Sequence, residues 1–286
     1  YDNRSIDGEE NGLPGDEGYI ADLNRDFNSV NAALGYKINI SQNLTGRINT
    51  ATGFRAPNLA ELTSNGVHEG TNRFEIGNPD LENEQNFQID LAIEYQNEHI
   101  EFYLNGFHNT IGSFIFIEPN GDFVEEDAVF LYRQQDATLY GGEIGFHLHP
   151  HPLDWLHLES SFATVTGKLD SGDYLPLIPA NNWTNTFRVE FEKEQDWLKT
   201  SYAYISLQSV FNQNNNSEFE TTSEGYNILN LGFGGNLNLF DQSFDITISG
   251  NNILNENYIA HLSRLKPDGI ANIGRNISIG IRVPIE

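Results

Sequence analysis

Three histidines at alternate positions stand where the chain is about to turn. The run is His147-Leu148-His149-Pro150-His151. In a β-strand, residues i and i+2 point to the same face, so His147 and His149 would lie side by side. Imidazole nitrogens bind Zn²⁺, but a zinc site needs a defined ligand set that this run alone does not supply. A metal-binding turn and an ordinary polar turn both fit this stretch, and the identity of any metal stays open.

Two long loops carry the other residues that could bind a ligand. These residues are His68, Glu69, Arg73, His261, Arg264 and Lys266. Loops that a rigid scaffold positions are frequent ligand contacts, and imidazole, carboxylate and cationic groups suit a charged or metal-bearing ligand. Solvated loop charges are the ordinary alternative. The sequence therefore predicts ligand contacts at these six positions, with that alternative left open.

Sequence motifs of enzymes are absent. The chain contains no Gly-x-Ser-x-Gly, no phosphate-binding loop and no His-Glu-x-x-His. Asp170 and Asp173 could hold Ca²⁺ weakly, but they lack EF-hand spacing and also fit a solvated loop. We expect neither an enzyme nor a resident cofactor.

The charge balance is strongly acidic. The 286 residues include 41 Asp and Glu against 15 Lys and Arg, a net charge of −26. Nucleic-acid binding proteins present basic patches, so we expect no nucleic-acid partner. The excess is compatible with solvated acidic loops or with an acidic vestibule that attracts cationic or metal-bearing ligands.

Period-two alternation of apolar and polar residues dominates the chain. It predicts about twelve strands, the first only partial, most of them ten residues or longer. The connections alternate between short turns, near residues 42, 97, 152, 195 and 242, and long loops, roughly residues 5–26, 55–84, 118–127, 169–182, 212–224 and 253–274.

Sorting of loop lengths by end is typical of outer-membrane β-barrels, which have short periplasmic turns and long extracellular loops. Trp155 and Trp197 begin strands beside short turns, and Tyr36 and Tyr95 approach such turns, as an interfacial aromatic belt would require. Ordinary strand aromatics are the alternative. The pattern predicts an all-β, antiparallel transmembrane barrel portion.

Four stretches resemble the β-barrel domain of TonB-dependent outer-membrane receptors. The longest runs from Gly53-Phe54-Arg55-Ala56-Pro57 to Gly77-Asn78-Pro79-Asp80-Leu81-Glu82-Asn83-Glu84, with Glu82 and Asn83 where that family usually has Lys and Pro. Within it, Pro57 should end a strand and Asn58 should cap a short helical turn. The other three are Tyr140-Gly141-Gly142-Glu143, Leu175-Pro176-Leu177-Ile178-Pro179 and Asn251-Asn252-Ile253-Leu254-Asn255-Glu256-Asn257-Tyr258.

The resemblance implies a receptor in the outer membrane of a Gram-negative cell that actively imports a scarce nutrient. His261-Leu262-Ser263-Arg264-Leu265-Lys266 is similar to receptors linked to metal uptake. The implied nutrient is therefore a metal chelate: a ferric siderophore, haem or zinc. Implied partners are outer-membrane lipid, the extracellular ligand, and TonB through a plug domain. Residues 1–286 would be the C-terminal part of the barrel, with the plug and the N-terminal strands outside this chain. The alternatives are that this sheet closes on itself or pairs with another copy of the chain.

Two other classes of protein remain open. A passive, porin-like barrel would share the alternation and the loop lengths but would have no plug. A secreted all-β binding module would share the alternation and would be soluble without detergent.

Overall fold

One large antiparallel sheet dominates the computed structural model, which describes residues 1–13, 18–68, 73–192, 198–239 and 242–284. The strands and the single described helix follow in chain order: β1 Asp2–Gly8, β2 Leu23–Ser29, β3 Ala33–Asn39, β4 Leu44–Arg55, α1 Leu59–Thr63, β5 Asn65–His68, β6 Arg73–Ile76, β7 Glu84–Gln96, β8 Ile100–Val124, β9 Asp127–Leu148, β10 Leu156–Leu169, β11 Asn182–Glu192, β12 Leu198–Val210, β13 Tyr226–Leu239, β14 Gln242–Asn251 and β15 Asn276–Arg282.

The large sheet is a meander in which each strand pairs with its neighbours in sequence. Its order is β15-β14-β13-β12-β11-β10-β9-β8-β7-β4-β3, with β5 and β6 attached at one side of β9. Connections of a few residues close one end of this sheet, which we call the short-turn end. The other end, which we call the long-loop end, carries the long connections after β4, β10, β12 and β14. The predicted sorting of loops by length is confirmed at these positions.

Cross-strand registers place the apolar residues on one face of the sheet. Leu91 pairs with Gly106, Ile205 with Leu231, and Ile248 with Ile279. Large apolar side chains on this face are exposed, including Leu91 at 56% and Ile279 at 70%. A face of exposed aliphatic and aromatic side chains is costly in water and favourable against hydrocarbon. We call it the apolar face, and the opposite one the polar face.

Asn185 interrupts the apolar face, as its sequence position predicts. Its side chain is not left alone there, because the Ser160 hydroxyl donates to Asn185 Oδ1 at 2.8 Å. The indole nitrogen of Trp183 in turn donates to Ser160 Oγ at 2.8 Å. These contacts satisfy polar groups that would otherwise be expensive to remove from water.

Strand lengths agree with a membrane-crossing sheet. β10 has 14 residues and β7 has 13, close to the 9–11 or more that a tilted membrane strand needs. No helix in the described residues is long and apolar enough to cross a membrane.

The predicted loop over residues 118–127 is wrong, because these residues form the end of the β8–β9 hairpin. β8 has 25 residues, β9 has 22, and Glu125-Glu126 alone turn between them. The polar composition misled because residues 119–126, at the tip of this hairpin, are exposed. β8 also contains a bulge at Gly112-Ser113, where its register with β9 shifts and Ser113 has a φ of 55°.

The start of the chain also differs from the prediction. The sequence predicts a loop over residues 5–26. Instead β1 and β2 pair with each other in a separate two-stranded sheet, and β3 begins at Ala33. Ile6 and Phe27, on these two strands, bury their side chains against Leu62 and Ile115, so packing on the long connection after β4 specifies this sheet.

The stretch between β4 and β7 is held by one arginine. Arg55 Nη1 donates to both carboxylate oxygens of Glu61, at 2.8 and 2.9 Å, and its Nη2 and Nε donate to Glu84 at 2.7 and 3.0 Å. Asn58 caps α1 as predicted, since its side chain accepts from Glu61 N at 2.8 Å while Glu61 Oε2 accepts from Asn58 N at 2.8 Å. Arg55, Glu61 and Glu84 therefore hold this connection in place.

Candidate ligand-binding loops

Arg73 begins β6, which runs parallel to β9 at the long-loop end. Its Nε donates to Glu75 Oε1 at 2.6 Å, and Tyr132 on β9 donates to Glu75 Oε2 at 2.8 Å. Glu75 is 2% exposed, so its charge depends on these two donors. The Arg73 guanidinium also lies 5.2 Å from the ring centroid of Phe130. Arg73 is therefore held in one place, with part of its surface open to solvent.

His68 ends β5 and pairs with Arg73 through the backbone. Its side chain and the whole of Glu69 lie outside the described residues. Both remain predictions, and only their attachment beside Arg73 is fixed by the strand pairing.

His261 is buried in the loop between β14 and β15, with 8% of its surface exposed. Its Nδ1 lies 2.9 Å from Ser223 Oγ and 3.1 Å from Lys266 Nζ. An ammonium group can only donate, so Nδ1 accepts and the ring proton sits on Nε2. That Nε2 has no hydrogen-bond partner among the described residues. Burial, followed by the charge of Lys266, lowers the pKa of His261 below its ordinary value, so the ring is neutral at pH 7.

Lys266 joins this loop to the one between β12 and β13. Its Nζ donates to the backbone carbonyl of Thr221 at 2.5 Å, and burial lowers the pKa of its ammonium group. Lys266 also borders a cleft of about 440 Å³ between the two loops. Tyr226 and Tyr258, whose ring centroids lie 4.2 Å apart, form another side of this cleft with Glu224 and Glu256.

Arg264 is exposed on the same loop, and no hydrogen bond or ion pair ties it within the described part of the chain. Of the three residues predicted here, Arg264 therefore faces solvent, Lys266 borders the cleft and His261 lies inside the loop assembly. His261 holds the two loops together instead of presenting an imidazole to the outside.

The loop between β12 and β13, residues 211–225, connects the two predicted groups. Phe219 packs edge-on against Phe130 with centroids 6.3 Å apart, and Phe130 carries Arg73 on its ring. A few residues further on, Ser223 meets His261. Glu220 accepts from Leu177 N at 2.9 Å, which attaches the loop after β10 as well. Four long-loop segments thus form one connected surface.

The sequence analysis did not identify the members of this surface that lie in the loop between β12 and β13. It also did not identify Glu75, Tyr132, Tyr226 and Tyr258. Glu75 follows Arg73 by two positions in a strand, which is a usable signal for a same-face ion pair. The tyrosines gave no signal, because their meeting depends on how two distant loops fold.

A model of one protein family matches most of the chain. The family is described as "TonB dependent receptor-like, beta-barrel", and its model matches residues 1–253. The chain belongs to this family. Its long-loop end is accordingly the extracellular end, and its short-turn end faces the periplasm.

Solved structures of similar fold are transporters and receptors by name. The copper transporter OprC superposes with a TM-score of 0.72 at 17% identity, over 91% of this chain and 39% of that one. The siderophore receptor PirA from Acinetobacter baumannii gives 0.62 at 14% identity, over 88% and 40%. The FrpB iron transporter from Neisseria meningitidis (F3-3 variant) gives 0.63 at 13% identity, over 91% and 39%. This chain thus spans about two fifths of each, and these likenesses establish the barrel fold.

The histidine-rich turn of this receptor chain lies at the periplasmic end of the sheet. His147 and His149 share the polar face as predicted, with ring centroids 5.2 Å apart. His151 is exposed and pairs with Asp154 at 3.3 Å. As the side chains lie, no three metal-ligating groups in the described ranges converge on one point. Asp170 and Asp173 likewise do not form such a group, and a 2.7 Å hydrogen bond from the Ser171 hydroxyl to Asp173 orders their loop.

Of the residues of the predicted aromatic belt, Trp155 stacks on Phe191 with centroids 5.5 Å apart beside the short turn after β9. Tyr36 is exposed at 63% on the apolar face, and the Tyr95 hydroxyl accepts a hydrogen bond from Asn97. Trp197 lies outside the described residues.

Proposed function

We propose that this chain is the C-terminal part of the barrel of an outer-membrane receptor that actively imports a metal chelate into a Gram-negative cell. The main support for this proposal is the connected extracellular surface, in which contacts join four loop segments beside a cleft bordered by Lys266, Tyr226 and Tyr258. Pre-ordered loops on a rigid sheet reduce the entropy lost when a ligand binds.

The chemistry of this surface favours a bulky ligand with aromatic or anionic parts. Lys266 is a cation beside two tyrosine rings in a cleft that Glu224 and Glu256 also border. Arg264 adds an exposed cation on the same loop, and Arg73 adds one on the connection after β4. Ferric siderophores and haem offer planar rings and carboxylate or catecholate oxygens that suit such groups. The names of the similar structures, a copper transporter, a siderophore receptor and an iron transporter, support the same class.

Energy for import would come from TonB in the periplasm through a plug domain encoded outside these 286 residues. One observation supports a larger barrel. The edge strands β3 and β15 are not paired with each other in the described sheet. Unpaired backbone groups facing lipid cost several kcal/mol each, so further strands are needed to close the sheet in a membrane. We therefore infer that upstream strands and a plug complete the receptor, and that transport rather than an enzymatic reaction is its activity.

Binding by the intact receptor in detergent tests the proposed site. The probes are a ferric catecholate siderophore, a ferric hydroxamate siderophore and haem, and their binding is followed by quenching of intrinsic fluorescence. We expect one probe to bind and the Lys266→Ala and Arg264→Ala variants to weaken it about tenfold each, the loss of one charge-assisted contact of about 1.5 kcal/mol. Lys37→Ala, on β3 near the periplasmic turn, is the matched control.

The same experiment separates the rival proteins. Unchanged affinity in Lys266→Ala, Arg264→Ala and His68→Ala would remove the extracellular surface from the proposal. A protein that stays soluble and monodisperse without detergent would be a secreted binding module. Saturable binding by none of the probes, together with ion conductance in planar bilayers, would identify a passive channel.

A further inference from the structure

Five of the eight histidines gather at the periplasmic end of the polar face. Leu148 pairs with Ile100 on one side and with Leu158 on the other. The next residues of these three strands, His149, His99 and His157, therefore lie in one row. His147 lies two residues before His149 on the same face, further from the end of the sheet, between its cross-strand partners Glu101 and Glu159. The sequence run contains three of these five histidines, because His99 and His157 come from other parts of the chain.

Three of these rings are spaced as ligands of one ion would be. Centroid separations are 5.2 Å for His147–His149, 5.1 Å for His147–His157 and 5.8 Å for His149–His157. Three imidazoles on a tetrahedral ion at ordinary Zn–N distances would have centroids about 5 Å apart. The fourth position of a tetrahedral site would then be open to water.

The nitrogens of two rings already face each other. His147 Nε2 and His157 Nδ1 are 2.9 Å apart, where two ligands of a tetrahedral zinc ion would be about 3.3 Å apart. The opposite nitrogen of each ring faces a carboxylate: His147 Nδ1 lies 3.8 Å from Glu101, and His157 Nε2 lies 3.8 Å from Glu190. The usual support of a metal-binding histidine is a carboxylate that accepts a hydrogen bond from the distal nitrogen. At 3.8 Å these two carboxylates are near that position but beyond hydrogen-bond distance, and Glu190 is also paired with Arg188.

We propose that His147, His149 and His157 bind a transition-metal ion of the Zn²⁺ type on the polar face at the periplasmic end. Imidazole suits Zn²⁺, Cu²⁺ and Ni²⁺ rather than Mg²⁺ or Ca²⁺, which need oxygen ligands. The ion would replace the hydrogen bond between His147 and His157, and the ring of His149 would turn to complete the set, since the three rings do not converge as they lie. The net charge of −26 favours the binding of a cation at this end of the sheet.

This site differs from the one that sequence spacing suggests. His151 belongs to the His-x-His-x-His run, but it is exposed and paired with Asp154. It lies next to His99 rather than to His147 or His157 in the ring contacts. His151 is therefore a matched control, because it lies in the same sequence run as His147 and His149 but is not one of the three proposed metal ligands.

Titration of the intact receptor in detergent with Zn²⁺ alone, by calorimetry, tests the proposal. We expect one site to disappear in His147→Gln/His157→Gln, or its affinity to fall about 100-fold or more, since even a supporting residue costs 10–100-fold. His151→Gln should bind as the wild type does. Binding should also weaken at about pH 5, because the ligand imidazoles must be neutral. In Co²⁺-loaded protein, intense visible absorption should report a tetrahedral site.

Wild-type protein provides a readout that needs no variant to fold. Zn²⁺ should protect His147 and His157 from diethyl pyrocarbonate, read by mass spectrometry, and should leave His151 reactive. Equal Zn²⁺ affinity and stoichiometry in the double variant would overturn the proposal, and so would equal reactivity of His147 and His157 with and without Zn²⁺. Loss of the site in His151→Gln would overturn the ligand assignment in favour of the sequence run.

Discussion

At the scale of single residues, the charged groups of the extracellular loops divide into those that hold the surface together and those that remain available. Glu75 and His261 are buried and serve neighbouring side chains. Arg264 is exposed, and Lys266 both ties two loops and borders the cleft. Residue type alone cannot separate these roles, because burial decides them and burial depends on which loops meet.

Glu75→Ala should loosen β5 and β6. The substitution leaves the Tyr132 hydroxyl and the Arg73 guanidinium without their shared acceptor, at a cost of about 1–3 kcal/mol. Hydrogen exchange of residues 65–68 and 73–76 in the intact receptor should rise accordingly. Glu118→Ala is the control, because its ion pair with Arg133 is exposed and contributes about 0–1 kcal/mol. Equal exchange in the two variants would show that burial of Glu75 does not stabilise this loop.

The contact between the two cleft loops should weaken in acid. Burial and Lys266 lower the pKa of His261, so the opened loop binds a proton more readily than the closed one, and closure is favoured above the ordinary His pKa of 6.5 and lost as the pH falls below it. Lys266, Ser223 and Glu220 are the groups that face this ring or act on it.

Hydrogen exchange of residues 258–266, corrected for intrinsic rates, should therefore be faster at about pH 5.5 than at about pH 7.5, on either side of the ordinary His pKa. His261→Gln should remove this difference, whereas His108→Gln, on β8, should keep it. Persistence of the pH effect in His261→Gln would assign it to another group.

At the scale of elements, local sequence rules worked wherever a strand or cap depends on its own neighbours. The alternation predicted the strands from β7 to β15, and Pro57-Asn58 predicted α1 and its cap. The rules failed for β1, β2, β5 and β6, whose pairing is fixed by burial against the connection after β4 or by attachment to β9. They failed also for the tip of the β8–β9 hairpin, since residues 119–126 are exposed and have no regular apolar side to reveal a strand.

Asn58→Ala should destabilise α1 by about 1 kcal/mol through loss of its N-cap. Amide exchange of residues 59–63 in the intact receptor should rise about fivefold, which is that energy expressed as a ratio. Asn58→Ser keeps an acceptor at the cap and should remain close to wild type. Matching protection in Asn58→Ala and wild type would mean that the ion pairs of Arg55 with Glu61 and Glu84 order this connection alone.

At the scale of the whole molecule, sequence resemblance and sheet topology agree on the family. The ligand depends instead on how the long loops pack together. The barrel fold follows from alternation, loop sorting and four motifs that keep their family spacing. The candidate ligand surface does not, because it is assembled from loops far apart in sequence through contacts such as Phe130–Phe219 and Ser223–His261. The row of His99, His149 and His157 likewise appears only when three strands are placed in register.

Energised import of a metal chelate is tested most directly by uptake in living cells. Cells carrying the intact receptor, and cells lacking its gene, are given radiolabelled iron as a catecholate siderophore, as a hydroxamate siderophore and as haem, and radiolabelled zinc. We predict receptor-dependent accumulation of one of these probes that stops when a protonophore collapses the proton gradient from which TonB draws its energy. Receptor-dependent entry that continues unchanged after the gradient collapses would contradict the account and indicate a passive channel.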